Sequence, residues 1–343
     1  MPARAFITGL SGLAIAPEER DFLKESEPFG LIIFKRNVEN PEQLKALTAE
    51  FRNVVGRAAP VLVDQEGGRV QRLGPPHWPA YPPASVFGTL YDSDPAAGRA
   101  AAQLGARLIA ADLQAVGIDV DCLPLADVPV PGADNVIGDR AYGTNAPKVA
   151  DLARAAAEGL LQGGVLPVLK HLPGHGRAAA DSHLALPVVE TPRAVLQDTD
   201  FAAFRALRDL PLGMTAHVVF SAFDSVAPAT TSAIMVGDVI RGWIGFEGLL
   251  MSDDVSMKAL RGPMAERTRA AFAAGCDLAL HCNGDLAEMR AVAAESPPLA
   301  GEAARRAERA LAHRRAPQPI DLAAAHARLS EVLKSVRQGM PAA

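Results

Sequence analysis

The sequence contains no block of basic residues: its 34 Lys and Arg are interspersed with 39 Asp and Glu, for a net charge of -5. That balance excludes the electrostatic footprint of a nucleic-acid binder and any polybasic attraction to an anionic membrane. Long apolar runs are missing as well, none approaching the roughly 20 residues of a membrane-spanning helix. Neither nucleic acid nor membrane is therefore predicted as a partner. Cysteine is scarce. Cys122, Cys276 and Cys282 lie in or beside apolar runs without CxxC spacing, which predicts buried, reduced thiols in a cytoplasmic protein rather than a disulfide framework. No low-complexity segment and no interdomain linker stands out, and the Pro-rich "PPHWPAYPPAS" at 75–85 reads as a surface loop. The N-terminal "RAFITGLSGLAIAP" imitates a secretion signal, but one basic residue and two interrupting glycines make it a first buried strand instead.

What is present is a repeat of short Val/Ile/Leu-rich runs. They fall at 5–10, 30–34, 60–64, 118–128, 165–171, 212–218, 248–254 and 277–282. Runs that are apolar throughout are strands buried on both faces of a parallel sheet, and the Ala-rich amphipathic stretches between them supply crossover helices. One such helix starts with Asn40 as N-cap and Pro41 at its first position, and another ends at Gly117. Eight strand–helix units predict an α/β protein, a (β/α)8 barrel filling about 5–300 as one domain, with closing helices over 302–317 and 320–338. An open doubly wound sheet is the alternative.

Polar residues then gather just after the strands, on the face where barrel enzymes carry their chemistry. Asp64, Asp127 and Asp253 each follow an apolar run and should point into the barrel mouth, accompanied by Arg72, Arg140 and Lys170. The densest loop is "KHLPGHGRAAADSH", 170–183, with three histidines in fourteen residues. His171 and His175 are separated by Pro173 and Gly174, so they cannot form a helical i, i+4 metal pair. A metal site from His171, His217 and Asp253 is conceivable, and "GHGRAA" matches a dinucleotide-binding turn in a setting that does not suit one. A better account makes Asp181 and His183 a dyad, the carboxylate holding an imidazole that donates and accepts protons near neutrality. The competing reading of "DSH" is a cap for the next element.

"VDQEGGRVQR", "NVIGDRAYG", "KHLPGHG", "DSH", "MTAHV" and "GLLMSDDVSM", in this order, resemble the signature segments of family 3 glycoside hydrolases. They are most similar to that family's single-domain bacterial β-N-acetylglucosaminidases. The resemblance implies a (β/α)8 barrel and retaining hydrolysis without metal or cofactor. It makes Asp253 the nucleophile, His183 the acid/base with Asp181 as partner, and Asp64, Arg72, Arg140, Lys170 and His171 the sugar-binding set. Asp254 should point away from the site, because successive strand residues face opposite sides. His175 and His217 are given a lining role, and Arg69 an ion-pair role. Gly174 and Gly176 should let the loop move, mobile without ligand, so that Asp181 and His183 close over the leaving group. The resemblance further implies a carbohydrate substrate, a peptidoglycan fragment of N-acetylglucosamine joined to anhydro-N-acetylmuramic acid. Phosphorolysis on the same site, and a non-catalytic sugar sensor on the same fold, are the rival readings.

Overall fold

The computed structural model describes residues 3–178, 182 and 186–339. Eight parallel strands close into a barrel, each beside its neighbours in sequence: β1 (Arg4–Thr8), β2 (Pro28–Ile33), β3 (Val61–Val63), β4 (Val120–Asp121), β5 (Leu166–Leu172), β6 (Leu212–Thr215), β7 (Leu249–Asp254) and β8 (Leu278–His281). All eight apolar runs thus become barrel strands, and the N-terminal run is the strand on which the barrel closes, Phe6 opposite Ala279.

The absence of in–out polarity in these runs has a direct physical reason. Ile7, Leu62, Val120, Leu166, Val168, Leu212, Leu249, Met251 and Leu278 pack together in the barrel interior. Their alternates, such as Phe6, Leu31, Val61, Val63 and Leu169, pack outward under the helices. Both faces of every strand are dry.

The crossovers are α1 (Pro17–Ser26), α2 (Pro41–Val55), α3 (Ala84–Ser93) with α4 (Pro95–Ala115), α5 (Ala146–Gln162), and α6 (Arg193–Asp198) with α7 (Asp200–Ala206). A π-helix over Met235–Ile244 links β6 to β7, and α8 (Met264–Ala274) links β7 to β8. The N-cap of α2 is as read: Asn40 accepts the Gln43 amide, with Pro41 next in the chain. After β8 come α9 (Leu286–Glu295), α10 (Gly301–Leu311) and α11 (Leu322–Gly339). The expected helix over 302–317 therefore stops at Leu311. Beyond it the chain is held by Arg314, which donates to the Ala58 carbonyl, and by the Gln318 amide, which donates to Gln162. Pro317 and Pro319 could not have continued the helix.

Candidate active site

The C-terminal ends of the strands enclose a cavity of about 330 Å³ whose wall includes Asp64, Arg72, Arg140, Lys170, His171 and Asp253. Six of the eight residues expected to form the site thus meet in one cavity. The other two, Asp181 and His183, lie outside the described residues, as do residues 179 and 180 of the loop expected to move.

Asp64 leaves the end of β3 and is followed by a hairpin in which Gln65–Gly67 pairs antiparallel with Val70–Gln71. Gly67 turns the hairpin at φ +90, where a Cβ would run into the Pro82 carbonyl. The fold-back returns Arg72 to Asp64, with Nη2 to Oδ2 at 3.0 Å. Lys170 reaches the other oxygen at 2.8 Å and Glu66 at 2.7 Å. Arg140, brought in from the loop after β4, grips Glu66 with two bonds of 2.8 Å. Two carboxylates and three cations therefore interlock. Burial works to raise the Asp64 and Glu66 carboxyls, but Lys170 together with Arg72 or Arg140 outweighs it and holds both well within the ionised range. Burial likewise works against the Lys170 ammonium, and Asp64 and Glu66 more than restore it.

β5 carries a register shift against β6: Leu169 pairs with Gly213 but Leu172 with Thr215. One extra residue is accommodated on β5, and such a bulge re-aims side chains. Its result is that consecutive residues, Lys170 and His171, both line the cavity. β7 shows the same irregularity between Met251 and Asp254. This corrects the expectation for Asp254, which also reaches the cavity wall instead of facing away. Its oxygens are nevertheless taken by the Ser256 amide and hydroxyl at 2.9 and 2.7 Å and by the Cys282 amide at 3.2 Å. Asp253 differs. Among the described residues it has no cation partner, and its carboxylate accepts one bond, from the Asp254 amide to Oδ1 at 2.8 Å. Burial works to raise its pKa, but the His217 and His171 imidazoles and the Asp254 amide outweigh it and leave the group below the usual carboxylate value.

Asp127 does not present a free carboxylate to the mouth. It is fully buried, holding His171 Nδ1 at 2.7 Å and the His175 amide at 2.6 Å, so it orients the histidines rather than a ligand. His175 lines the cavity as expected; His217 does not. The His217 ring is fully buried behind β7, bonded to Thr230 Oγ1 at 2.7 Å and to the Asp254 carbonyl at 2.9 Å. A carbonyl only accepts, so Nε2 bears a proton and neither nitrogen is available to a metal. Among the described residues no group of three or more His, Cys, Asp and Glu is placed to hold a metal ion. Arg69 pairs with Asp139 at 3.0 Å and donates to the carbonyls of Asn135 and Val136, pinning the loop that delivers Arg140.

Glu66 and Asp127 are the functional residues that sequence reading underrated. Glu66 stood in plain view inside "DQEGG", but only the hairpin shows that it returns to Lys170 and Arg140. The three cysteines are free and buried, and burial pushes the Cys276 thiol up to about 12. Among the described residues no helix is long and apolar enough to cross a membrane.

A model of the glycosyl hydrolase family 3 N-terminal domain matches residues 6–304. A β-hexosaminidase of Alkalilimnicola ehrlichii is 42% identical over 279 residues, 80% of this chain and 79% of the relative. One from Aromatoleum aromaticum is 36% identical over 324 residues, 93% of this chain and 90% of the relative. Among solved structures, NagZ from Neisseria gonorrhoeae in complex with N-trifluoroacetyl-D-glucosamine superposes with a TM-score of 0.83 at 32% identity, over 98% of both chains.

Proposed function

The chain belongs to glycosyl hydrolase family 3 as a β-N-acetylhexosaminidase, and we propose that it is a retaining enzyme that releases terminal β-linked N-acetylglucosamine by way of a glycosyl ester on Asp253. The observation that carries this reading is the contrast between Asp253 and its neighbours. It is a half-buried, ionised carboxylate on the cavity wall without a cation partner among the described residues, whereas Asp64 is bound by both Lys170 and Arg72.

In the first step an Asp253 oxygen forms a bond to the anomeric carbon while the glycosidic bond breaks, and His183 gives its proton to the departing oxygen. In the second step water attacks the anomeric carbon, His183 takes the water's proton, and Asp253 leaves as carboxylate. Asp181 holds the His183 ring and stabilises its charged form. Asp64 accepts bonds from sugar hydroxyls, while Arg72, Arg140, Lys170 and His171 donate to hydroxyl oxygens; these contacts separate one sugar from its epimer. The solved complex of the gonococcal relative with an N-acylated glucosamine supports the choice of sugar. No metal or cofactor enters this scheme.

The substrate is a peptidoglycan fragment, N-acetylglucosamine linked to anhydro-N-acetylmuramic acid with or without peptide, cleaved in the cytoplasm during cell-wall recycling. Nitrophenyl β-N-acetylglucosaminide and β-glucoside, compared for wild type and Asp253→Ala with chelator present, test the reaction. Chelator-resistant release from the acetylated sugar alone, lost in the variant, is expected; no release from either overturns the reading. Turnover of the muramyl disaccharide no faster than chitobiose would remove the substrate assignment, and sugar 1-phosphate as main product in phosphate buffer would replace hydrolysis by phosphorolysis.

A further inference from the structure

The ring of His175 is 3.0 Å from the Ser182 hydroxyl, Nε2 to Oγ, and both residues are almost completely buried. Ser182 is the middle residue of Asp181-Ser182-His183. The other end of His175 is fixed as well: its amide donates to Asp127 Oδ1 at 2.6 Å, while Oδ2 of the same carboxylate holds the His171 ring at 2.7 Å. A continuous chain of hydrogen bonds therefore runs from the sugar-binding histidine at the bulge of β5, through Asp127 and His175, to Ser182.

We infer that the His175–Ser182 bond is a latch that registers the acid/base segment against the barrel, making His175 and Ser182 positioning residues for proton transfer. The inference rests on the reading of His183 as the acid/base. Consecutive Cα atoms are about 3.8 Å apart, so anchoring the Ser182 side chain restricts where its neighbour's ring can stand.

One observation speaks against mere space filling. Among the described residues the buried His175 Nδ1 has no hydrogen-bond partner, a defect that a phenyl ring of similar size would not have, and buried polar atoms left unpaired call for a compensating role. Packing does explain a different residue: Gly176 is needed because a Cβ there would strike the Val128 carbonyl. Burial, with His171 alongside, lowers the His175 pKa to about 4. The ring is thus neutral near pH 7, and the latch does not titrate where His183 works.

The test is kcat/KM, which covers binding and glycosidic cleavage but not hydrolysis of the glycosyl-enzyme, for aryl β-N-acetylglucosaminides whose leaving groups run from 2,4-dinitrophenol to unactivated phenols. A displaced general acid costs little with the first and much with the last. Ser182→Ala and His175→Phe should lose about 10-fold or more on the poorest leaving group and less than about 3-fold on dinitrophenol, a fraction of the effect of removing a general acid. Ser182→Thr, which keeps the hydroxyl, should restore the wild-type slope. If both variants lose rate equally across the series, or not at all, while His183→Ala shows a steep leaving-group dependence, the latch is overturned and the acid/base reading stands. If His183→Ala shows no such dependence, the acid/base reading falls and takes the latch with it. Should His175→Phe fail to fold, Ser182→Ala, which deletes one oxygen, decides alone.

Discussion

The two ends of the barrel are built from the same ingredients and use them differently. At the N-terminal ends of the strands, Asp119 binds Arg52 and Arg314 at 3.2 and 2.8 Å and also accepts the Val61 amide. Asp277 likewise binds Arg241 and Arg306 at 2.7 and 3.0 Å and accepts the Leu250 amide. Each aspartate therefore ties its own strand to a neighbouring strand and to two arginines, and these three bonds take most of its acceptor sites. At the C-terminal ends, Asp64 shares cations in the same manner but faces a cavity, while the buried Glu66 holds Lys170 and Arg140 in place beside it. There, charges are fixed in direction by one another while bonding capacity is left over for a ligand. A carboxylate between two cations is thus a stitch or a binding group according to whether its remaining lone pairs meet backbone amides or open space.

That contrast breaks down if the wrong end fails, so substitutions at both ends test it. Asp253→Ala should lower kcat/KM by roughly 10⁴-fold or more, the scale seen when a nucleophile is removed and only binding and positioning remain. Its thermal midpoint should hardly change, since no cation is left behind; a protein that loses stability instead would make Asp253 a stitch. Asp277→Ala should do the reverse, costing about 3 kcal/mol in chemical denaturation because two part-buried arginines lose their partner, with kcat per folded molecule unchanged.

Acid separates the ends further. His175 has its pKa lowered from about 6.5 to about 4, so between those values the unfolded chain binds the proton and the folded one does not. Stability is complete above about pH 6.5 and falls as pH drops toward 4, by up to roughly 3 kcal/mol from this group. Calorimetry of His175→Gln against wild type should show the variant's deficit at pH 7 shrinking by pH 4; a constant gap would contradict burial of a neutral ring. The smallest expected effect is that of Glu66→Gln. Losing the charge that orients Lys170 and Arg140 should reduce kcat/KM by about 30-fold, or about 2 kcal/mol, mainly through KM.

Much of this was legible in the sequence because a parallel barrel buries both strand faces, which makes its strands plain apolar runs, and because charged residues directly after such runs have one place to go. Asp64 and Asp253 were found for that reason, while the sugar-binding set with Arg72, Arg140, Lys170 and His171 came from the family resemblance. What escaped required three-dimensional facts. Glu66 acts only because a two-glycine hairpin folds it back. Asp127 looked like Asp64 in the linear pattern, yet it serves the histidines beside it. Asp254 was assigned by strict alternation, which a bulge cancels, and His217 by motif membership, which does not say that its ring lies behind the strand. The helix over 302–317 ran past its true end because periodicity in "LAHRRAP" continues after the backbone has turned away.

The irregularity in β5 also bears on which changes of length the molecule can tolerate. Loops at the barrel mouth can gain or lose residues while the strand ends stay where they are. Deleting one residue between Leu169 and Leu172 would even out the ladder and turn Lys170 or His171 into the layer of helices, dismantling either the cation shared by two acids or the histidine held by Asp127. For this fold, specificity is guarded by the count of residues in a strand, and a designer who wishes to alter the sugar should lengthen loops and leave that count alone.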